Sequence, residues 1–248
     1  MAKDPVITVV GLGYVGLPLA VALARRFEVM GYDIDERRLA ELREGRDRTG
    51  ELSRGELLDS RLEYVSDREA LKESDIFIVT VPTPVGPDNK PDLRAVESAS
   101  RFVGQLIGLG SIVVYESTVY PGCTEDFCGP ILEAESGLIS GQDFYLGYSP
   151  ERINPGDKVH RVDSITKVVA GQTEKVARLL AQVYGAMNGD DVFVARDIRT
   201  AEASKVIENA QRDINIAFIN EVAQILQGLG LSVQDVLDAA MTKWNFLP

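Results

Sequence analysis

Val6-Ile7-Thr8-Val9-Val10 runs directly into Gly11-Leu12-Gly13-Tyr14-Val15-Gly16, and a helical pattern from Gly16 to Arg26 follows. A second apolar run, Glu28 to Asp33, ends on an acid twenty residues beyond Gly13. Strand, glycine turn, helix, strand and terminal acid in this register predict a βαβ unit that holds a dinucleotide. Each glycine then has a task. Gly11 permits the tight turn, Gly13 lets the backbone approach a pyrophosphate, and Gly16 lets helix pack closely on strand. Asp33 is suited to accept hydrogen bonds from the adenosine ribose hydroxyls and to repel a 2′-phosphate, so NAD is expected rather than NADP. Tyr14 and Val15, inside the loop, complete the candidate cofactor residues of this unit. A glycine turn in an ordinary α/β unit is the competing reading of the loop taken alone.

With 248 residues, 45% hydrophobic and 26% charged, the chain can bury a sizeable core as one large or two smaller domains. A net charge of −12 argues against nucleic acid or an anionic membrane as a bulk partner, because either would repel such a surface. A phosphate-bearing ligand is still allowed, since helix N-termini and a few basic side chains bind phosphate locally. Met1 to Pro5 lead straight into the first strand, without a secretory h-region, a transmembrane-length apolar run or a lipidation motif. The expected location is the cytoplasm. Cys123 and Cys128 are too few and too closely spaced for a disulfide framework, and they read as small packing residues. With His160 as the single histidine, no zinc cluster can be assembled, and no metal is expected.

Further along, short β-rich runs alternate with helix-length amphipathic stretches. Strands are expected at 6–10, 28–33, 62–65, 75–81, 111–116, 144–148, 164–170 and 191–195, with helices at 16–26, 35–43, 93–106, 124–135 and 173–184. The alternation predicts a doubly wound, mostly parallel Rossmann-type sheet over residues 1–198. Glu44 to Glu56 and Val85 to Pro91 read as loops, the second with a Gly86-Pro87-Asp88-Asn89 turn. Beyond Asp197 the pattern changes to one long helix, Thr200 to about Leu226, stopped by Gly228 and Gly230 and followed by a short helix, Val233 to Ala240. Residues 199–248 therefore read as a separate helical region. The long helix has an apolar stripe through Val206, Ala210, Ile214, Ala217, Phe218, Val222 and Ile225, wide enough to pack on its own domain and on a second subunit, so a homodimer through residues 200–226 is expected.

In an open parallel sheet, ligands bind beyond the carboxyl ends of the strands. Five segments place polar, glycine or proline elements there: Gly11 to Gly16, Asp33 to Asp35, Pro82 to Pro84, Glu116 to Gly122, and Ser149 to Arg152. On the long helix Lys205 and Asn209 are four apart and share a face, with Asp213 one turn further. An ammonium beside an amide donor can stabilise a developing oxyanion, and Glu151 could hold or deprotonate a water. Taken alone, each of these residues also reads as part of a solvated surface.

As a set, these residues resemble a known family. Val10-Gly11-Leu12-Gly13-Tyr14-Val15-Gly16-Leu17-Pro18, Gly31-Tyr32-Asp33-Ile34-Asp35, Val81-Pro82-Thr83-Pro84, Glu116-Ser117-Thr118-Val119, Ser149-Pro150-Glu151-Arg152 and the Glu202, Val206, Asn209 spacing closely resemble the UDP-glucose/GDP-mannose dehydrogenases. The stretch from Tyr148 to Asp157 and the ending Thr242 to Pro248 look like the branch acting on UDP-N-acetylhexosamines, found in enzymes that make uronic acids for surface polysaccharides. The resemblance implies a four-electron oxidation of the sugar C6 alcohol to a carboxylate, using two NAD and passing through a thiohemiacetal and a thioester on a cysteine. Carried onto this sequence, it implies that Lys205 stabilises oxyanions with Asn209 as companion, and that Thr118 and Glu151 position water, Glu151 assisting hydrolysis. Asp213 would serve helix packing or water placement. Pro82 and Thr83 would line the adenosine side of the cofactor and Thr118 its nicotinamide side. Glu151, Arg152, Lys205 and Asn209 would meet the UDP-sugar.

The departure from the family pattern is the nucleophile. Family members carry it in a glycine-rich segment beyond a point like Pro248, followed by a second Rossmann-like domain, and neither Cys123 nor Cys128 occupies its place. The resemblance therefore implies a fragment that binds NAD but cannot complete the thioester pathway. Two other readings stay open. A β-hydroxyacid dehydrogenase-like oxidoreductase would explain Lys205 and Asn209 without a cysteine, but not the 118–122 or 149–157 segments. A non-catalytic NAD-binding, dimerising module is the other.

Overall fold

The computed structural model describes residues 4–87, 89–154 and 156–246. Asp88 of the expected turn, Pro155 of the 148–157 stretch, and Leu247 and Pro248 of the closing motif lie outside them. Two compact units are present, Met1–Ser204 and Lys205–Pro248.

The first unit alternates as the sequence pattern predicts. Its elements are β1 (Val6–Val10), α1 (Gly16–Leu23), β2 (Glu28–Tyr32), α2 (Glu36–Arg43), α3 (Arg54–Leu58), β3 (Glu63–Tyr64), β4 (Ile76–Val79), α4 (Arg94–Gly104), β5 (Ile112–Tyr115), α5 (Gly129–Ser136), β6 (Tyr145–Tyr148), β7 (Lys167–Gly171), α6 (Glu174–Asn188) and β8 (Val192–Val194). Among the described residues the sheet has eight strands in the order β3-β2-β1-β4-β5-β6-β7-β8. Every neighbouring pair is parallel except β6 and β7. Helices cover both faces, so the central strands are apolar on both sides. Strand alternation sorts them into two cores: Ile7, Val9, Ile76, Ile78, Ile112 and Val114 face one, and Val6, Val10, Phe77, Val79, Val113 and Tyr115 face the other. The strand order reverses between β1 and β4, which opens a crevice at their carboxyl ends.

Several local expectations change. The helix expected over 124–135 begins as a π-helical turn, Cys123–Cys128, before α5. The stretch read as a loop over 44–56 ends in α3, because Ser53 and Glu56 form a reciprocal capping box. The strand expected from Ser164 starts only at Lys167, since the Ser164 hydroxyl turns back onto Val159 O and Arg161 O. Helix α6 runs past Tyr184 to Asn188, where Gly189 ends it at φ 73°. In the 85–91 loop Asn89 N–H bonds to Gly86 O, with Asn89 at φ 58°.

Helix α7 spans Ile198–Gly228, and α8 spans Val233–Met241. Gly228 is the last residue of α7, and Gly230 follows at φ 69°. In the second unit α8 buries none of its residues, and Val206, Ile214, Phe218 and Ile225 of the stripe are exposed. No helix of the described residues is long and apolar enough to cross a membrane.

Candidate functional site

A cavity of about 820 Å³ lies in the crevice. Its wall is formed by the carboxyl ends of five strands, with Val10 and Gly11 at β1, Tyr32 to Ile34 at β2, Thr80 to Pro84 at β4, Glu116 to Thr118 at β5 and Glu151 beyond β6, and by Ala95, Ser98, Ala99 and Phe102 of α4. Of the residues expected to hold a cofactor, Gly11, Gly13, Tyr14, Val15, Asp33, Pro82, Thr83 and Thr118 all line it, and Glu151 joins them.

The glycine end is built from backbone. Gly11 sits at φ 96°, a left-handed conformation that favours glycine. A Cβ on Gly16 would lie 2.0 Å from Gly11 O and 2.2 Å from Thr80 Oγ1, so helix and strand could not approach as they do. A Cβ on Gly13 would meet nothing within 4 Å. That space adjoins the N-terminus of α1, where a pyrophosphate is favoured by oriented N–H groups. The Asp33 carboxylate accepts from Leu12 N–H at 2.8 Å and Asp35 N–H at 2.9 Å. It is thereby fixed at the rim, and the remaining lone pairs of its two oxygens can accept from two hydroxyls. Geometry and donor set fit a dinucleotide of the NAD type.

The opposite end is assembled from distant segments. Ser117 Oγ donates to Val81 O at 2.5 Å, and Thr83 Oγ1 donates to Thr118 O at 2.7 Å. Thr118 itself is exposed to the cavity. The buried Glu151 carboxylate accepts from Ile153 N–H. Partial burial and the Glu151 charge, with Glu51, push the Tyr14 phenol above its ordinary pKa. Beneath this end, Glu116 accepts from Lys167 Nζ at 2.8 Å and from the Tyr184 hydroxyl at 2.5 Å, all three side chains being buried.

Arg152 donates to Thr166 O at 3.2 Å and is half-buried. Lys205, Asn209 and Asp213 belong to the second unit. There Asn209 Oδ1 accepts from Arg212 at 2.7 Å, and Asn209 and Asp213 border a shallow depression with Ala210 and Ile216. Cys123 and Cys128 are free thiols and buried, as packing residues should be. The adjoining Cys128 and burial push the Cys123 thiol up, which disfavours a nucleophilic thiolate there.

Sequence reasoning missed several supports of the cavity. Thr80 Oγ1 donates to Gly11 O at 2.6 Å, and Arg38 Nε donates to Leu12 O at 2.9 Å while its guanidinium pairs with buried Asp47 at 2.7 Å. The Tyr32 and Phe102 rings stack at 4.4 Å beside Asp33. A charge closing one apolar run, Glu116, and one inside another, Lys167, were each readable, but nothing local links the two.

A Rossmann-type dinucleotide-binding domain is thus the class that fold and cavity define. The comparisons narrow it. Residues 6–188 match the NAD binding domain of the UDP-glucose/GDP-mannose dehydrogenase family and residues 199–247 its central domain, and the chain belongs to that family. It is 53% identical over 241 residues to Protein CapL of Staphylococcus aureus, covering 97% of this chain and 57% of that protein. It is 51% identical over 247 residues to the UDP-N-acetyl-D-glucosamine 6-dehydrogenase of Pseudomonas aeruginosa, covering 99% of this chain and 58% of the relative. Among solved structures, the UDP-D-ManNAc dehydrogenase of Pyrococcus horikoshii aligns with a TM-score of 0.89 at 34% identity, over 97% of this chain and 58% of that one. The chain therefore spans a little over half the length of the relatives it matches.

Proposed function

We propose that this chain is the cofactor-binding and central portion of an NAD-dependent UDP-N-acetylhexosamine 6-dehydrogenase serving surface polysaccharide synthesis. The observation that carries the reading is the cavity itself, with a glycine cradle and Asp33 at one end and Thr118 and Glu151 at the other. Identity near one half to a UDP-N-acetyl-D-glucosamine 6-dehydrogenase supports the substrate class. In this reading residues 1–198 bind NAD, and residues 199–248 form a central dimerisation region whose exposed Ile214, Phe218 and Ile225 meet a second copy. The partners are the UDP-sugar and that second copy, and the location is the cytoplasm.

NAD, when bound, would supply the acceptor for the two electrons of each oxidation, and water would supply the second oxygen of the carboxylate. Apart from the cysteine nucleophile that the resemblance implies, the chain's own residues bind, orient and move protons. Asp33 orients the adenosine ribose, and the open face of Gly13 admits the pyrophosphate. Pro82 borders the adenosine side, whereas Thr83, expected there as well, bonds to Thr118 O and stands with Thr118 on the nicotinamide side. Thr118 and Glu151 hold a water, with Glu151 as the group that takes its proton. Lys205, with Asn209, stabilises oxyanions formed at C6. Arg152 contributes to the substrate side, and Asp213 to water placement or helix packing.

Calorimetry with NAD and NADP on the 248-residue chain and on Asp33→Ala tests the cofactor half. The expected result is NAD binding that exceeds NADP binding and falls at least about tenfold in the variant. UDP-N-acetylglucosamine, UDP-N-acetylgalactosamine and UDP-glucose are then added, and NADH absorbance is followed. Because both thiols are buried, no sustained NADH is expected from this chain. Sustained turnover would make Cys123 or Cys128 a nucleophile and overturn the assignment, while absence of NAD binding would remove its foundation.

A further inference from the structure

Glu202 is part of the motif set that resembles the family, yet no role in binding or chemistry falls to it above. It lies near the start of α7, in the first unit, and is fully buried. One carboxylate oxygen accepts from Gly122 N–H at 2.5 Å and the other from Thr124 N–H at 2.9 Å. Gly122 stands at φ 95°, a left-handed turn that lets two nearly adjacent amides converge on one carboxylate. A Cβ there would come within 2.7 Å of Asp126 Oδ2. These amides open the π-helical turn, a form of helix that recurs at functional sites.

The segment from Ser117 to Gly122 is consequently pinned at both ends. On the sheet side, Val81 O takes the Ser117 hydroxyl, Ser117 O takes the Tyr148 hydroxyl at 3.2 Å, and Thr118 O takes the Thr83 hydroxyl. On the far side the pin is Glu202. Between them the chain turns tightly, Cys123 N–H bonding to Tyr120 O at 3.0 Å, and Thr118 is presented to the cavity. A buried carboxylate is costly unless its oxygens are taken, and charge-assisted bonds to backbone N–H are among the stronger ones available. A neutral amide at this position could accept from one of the two N–H groups and would turn its own NH₂ toward the other.

We propose that Glu202 is a positioning residue for the cofactor site: through the Gly122 and Thr124 backbone it holds the Thr118 segment against the cavity without itself touching the cofactor. The inference rests on the reading of Thr118 as the nicotinamide-side wall. A second tie between the same elements, Arg199 to Asp126 at 2.8 Å, lies on the exposed side and serves as the internal control.

The test compares NAD with ADP-ribose, which carries everything but the nicotinamide, by calorimetry on the 248-residue chain. In Glu202→Gln, NAD affinity is expected to fall roughly tenfold while ADP-ribose affinity stays within about twofold. Arg199→Ala should leave both unchanged. Equal losses for the two ligands, or an unchanged NAD affinity, overturn the proposal. Should Glu202→Gln not unfold cooperatively, Glu202→Asp makes the same comparison with the charge kept and the reach shortened by one methylene. Failure of both variants to fold makes Glu202 a structural residue only, and also overturns it. If the unsubstituted chain binds neither ligand, the cofactor reading of the cavity fails first, and this inference with it.

Discussion

The two ends of the cavity are made in opposite ways. At the glycine end, the ligand-facing groups come from one βαβ unit and are mostly backbone, with Asp33 held by two N–H groups from nearby loops and the loop carbonyls braced by Thr80 and Arg38. At the Thr118 end, contributions arrive from β4, β5, β6, β7, α6 and α7, and they are held by side chains: Ser117, Thr83, Glu116, Lys167, Tyr184 and Glu202. Local backbone geometry resists change by steric exclusion. A buried polar assembly resists it by the penalty of stranding a charge. In the function proposed above, the first kind of end binds by shape and the second places individual groups.

The largest expected effect lies in the buried pair. Lys167→Met leaves the Glu116 carboxylate buried without its cation and should destabilise the first unit by about 3–5 kcal/mol. The combined Glu116→Gln, Lys167→Met variant should recover a good part of that loss in urea unfolding. If the double variant is as unstable as the single one, the penalty is lost packing rather than a stranded charge. Next comes Gly16→Ala, whose added methyl overlaps Gly11 O. It should cost about 1–3 kcal/mol in the same measurement and weaken NAD binding with it.

Gly13→Ala separates the two properties. Since nothing lies within 4 Å of the added Cβ, the melting temperature should stay within about 2 °C of the parent while NAD affinity falls. A large drop in melting temperature would mean that the open space at Gly13 is not reserved for ligand.

The smallest effect is expected away from both ends, where Glu56 receives the Ser53 backbone N–H and pairs with Arg161 at 2.7 Å. These contacts hold its pKa down to about 2 from an ordinary 4.5. A depressed carboxylate contributes stability above its unfolded pKa, and that contribution fades as pH falls from about 4.5 toward 2. The pair is partly exposed, so the contribution is screened. Melting curves between pH 5 and pH 3 should therefore fall slightly less steeply for Glu56→Gln than for the parent. Parallel curves would show that the clasp adds nothing.

The glycine end was legible residue by residue. Gly11, Gly13, Gly16 and Asp33 lie within one short stretch, and a tight turn at fixed spacing from a strand admits few alternatives. The segments that carry Thr118 and Glu151 were found by their place just beyond predicted strands, a weaker clue that became useful through convergence, while Thr118 itself was singled out only by the family resemblance. The supports beneath them were not found. Glu116 and Lys167 are 51 residues apart, and Glu202 lies 80 residues from Gly122; no local pattern links such pairs. The π-helical turn was read as ordinary helix because apolar spacing does not distinguish an extra residue per turn at so short a length.

By itself the sequence determined the alternation of strand and helix, the position of the crevice, and the dinucleotide signature. Those follow from periodicity and from turn geometry, which act over a few residues. Tertiary structure alone decided the antiparallel turn of β7 against β6, the stacking of Tyr32 on Phe102, and which buried charges meet beneath and beside the Thr118 segment. These depend on where distant segments come to rest. A carboxylate enters the interior only where packing brings donors to it, and packing is a property of the whole fold.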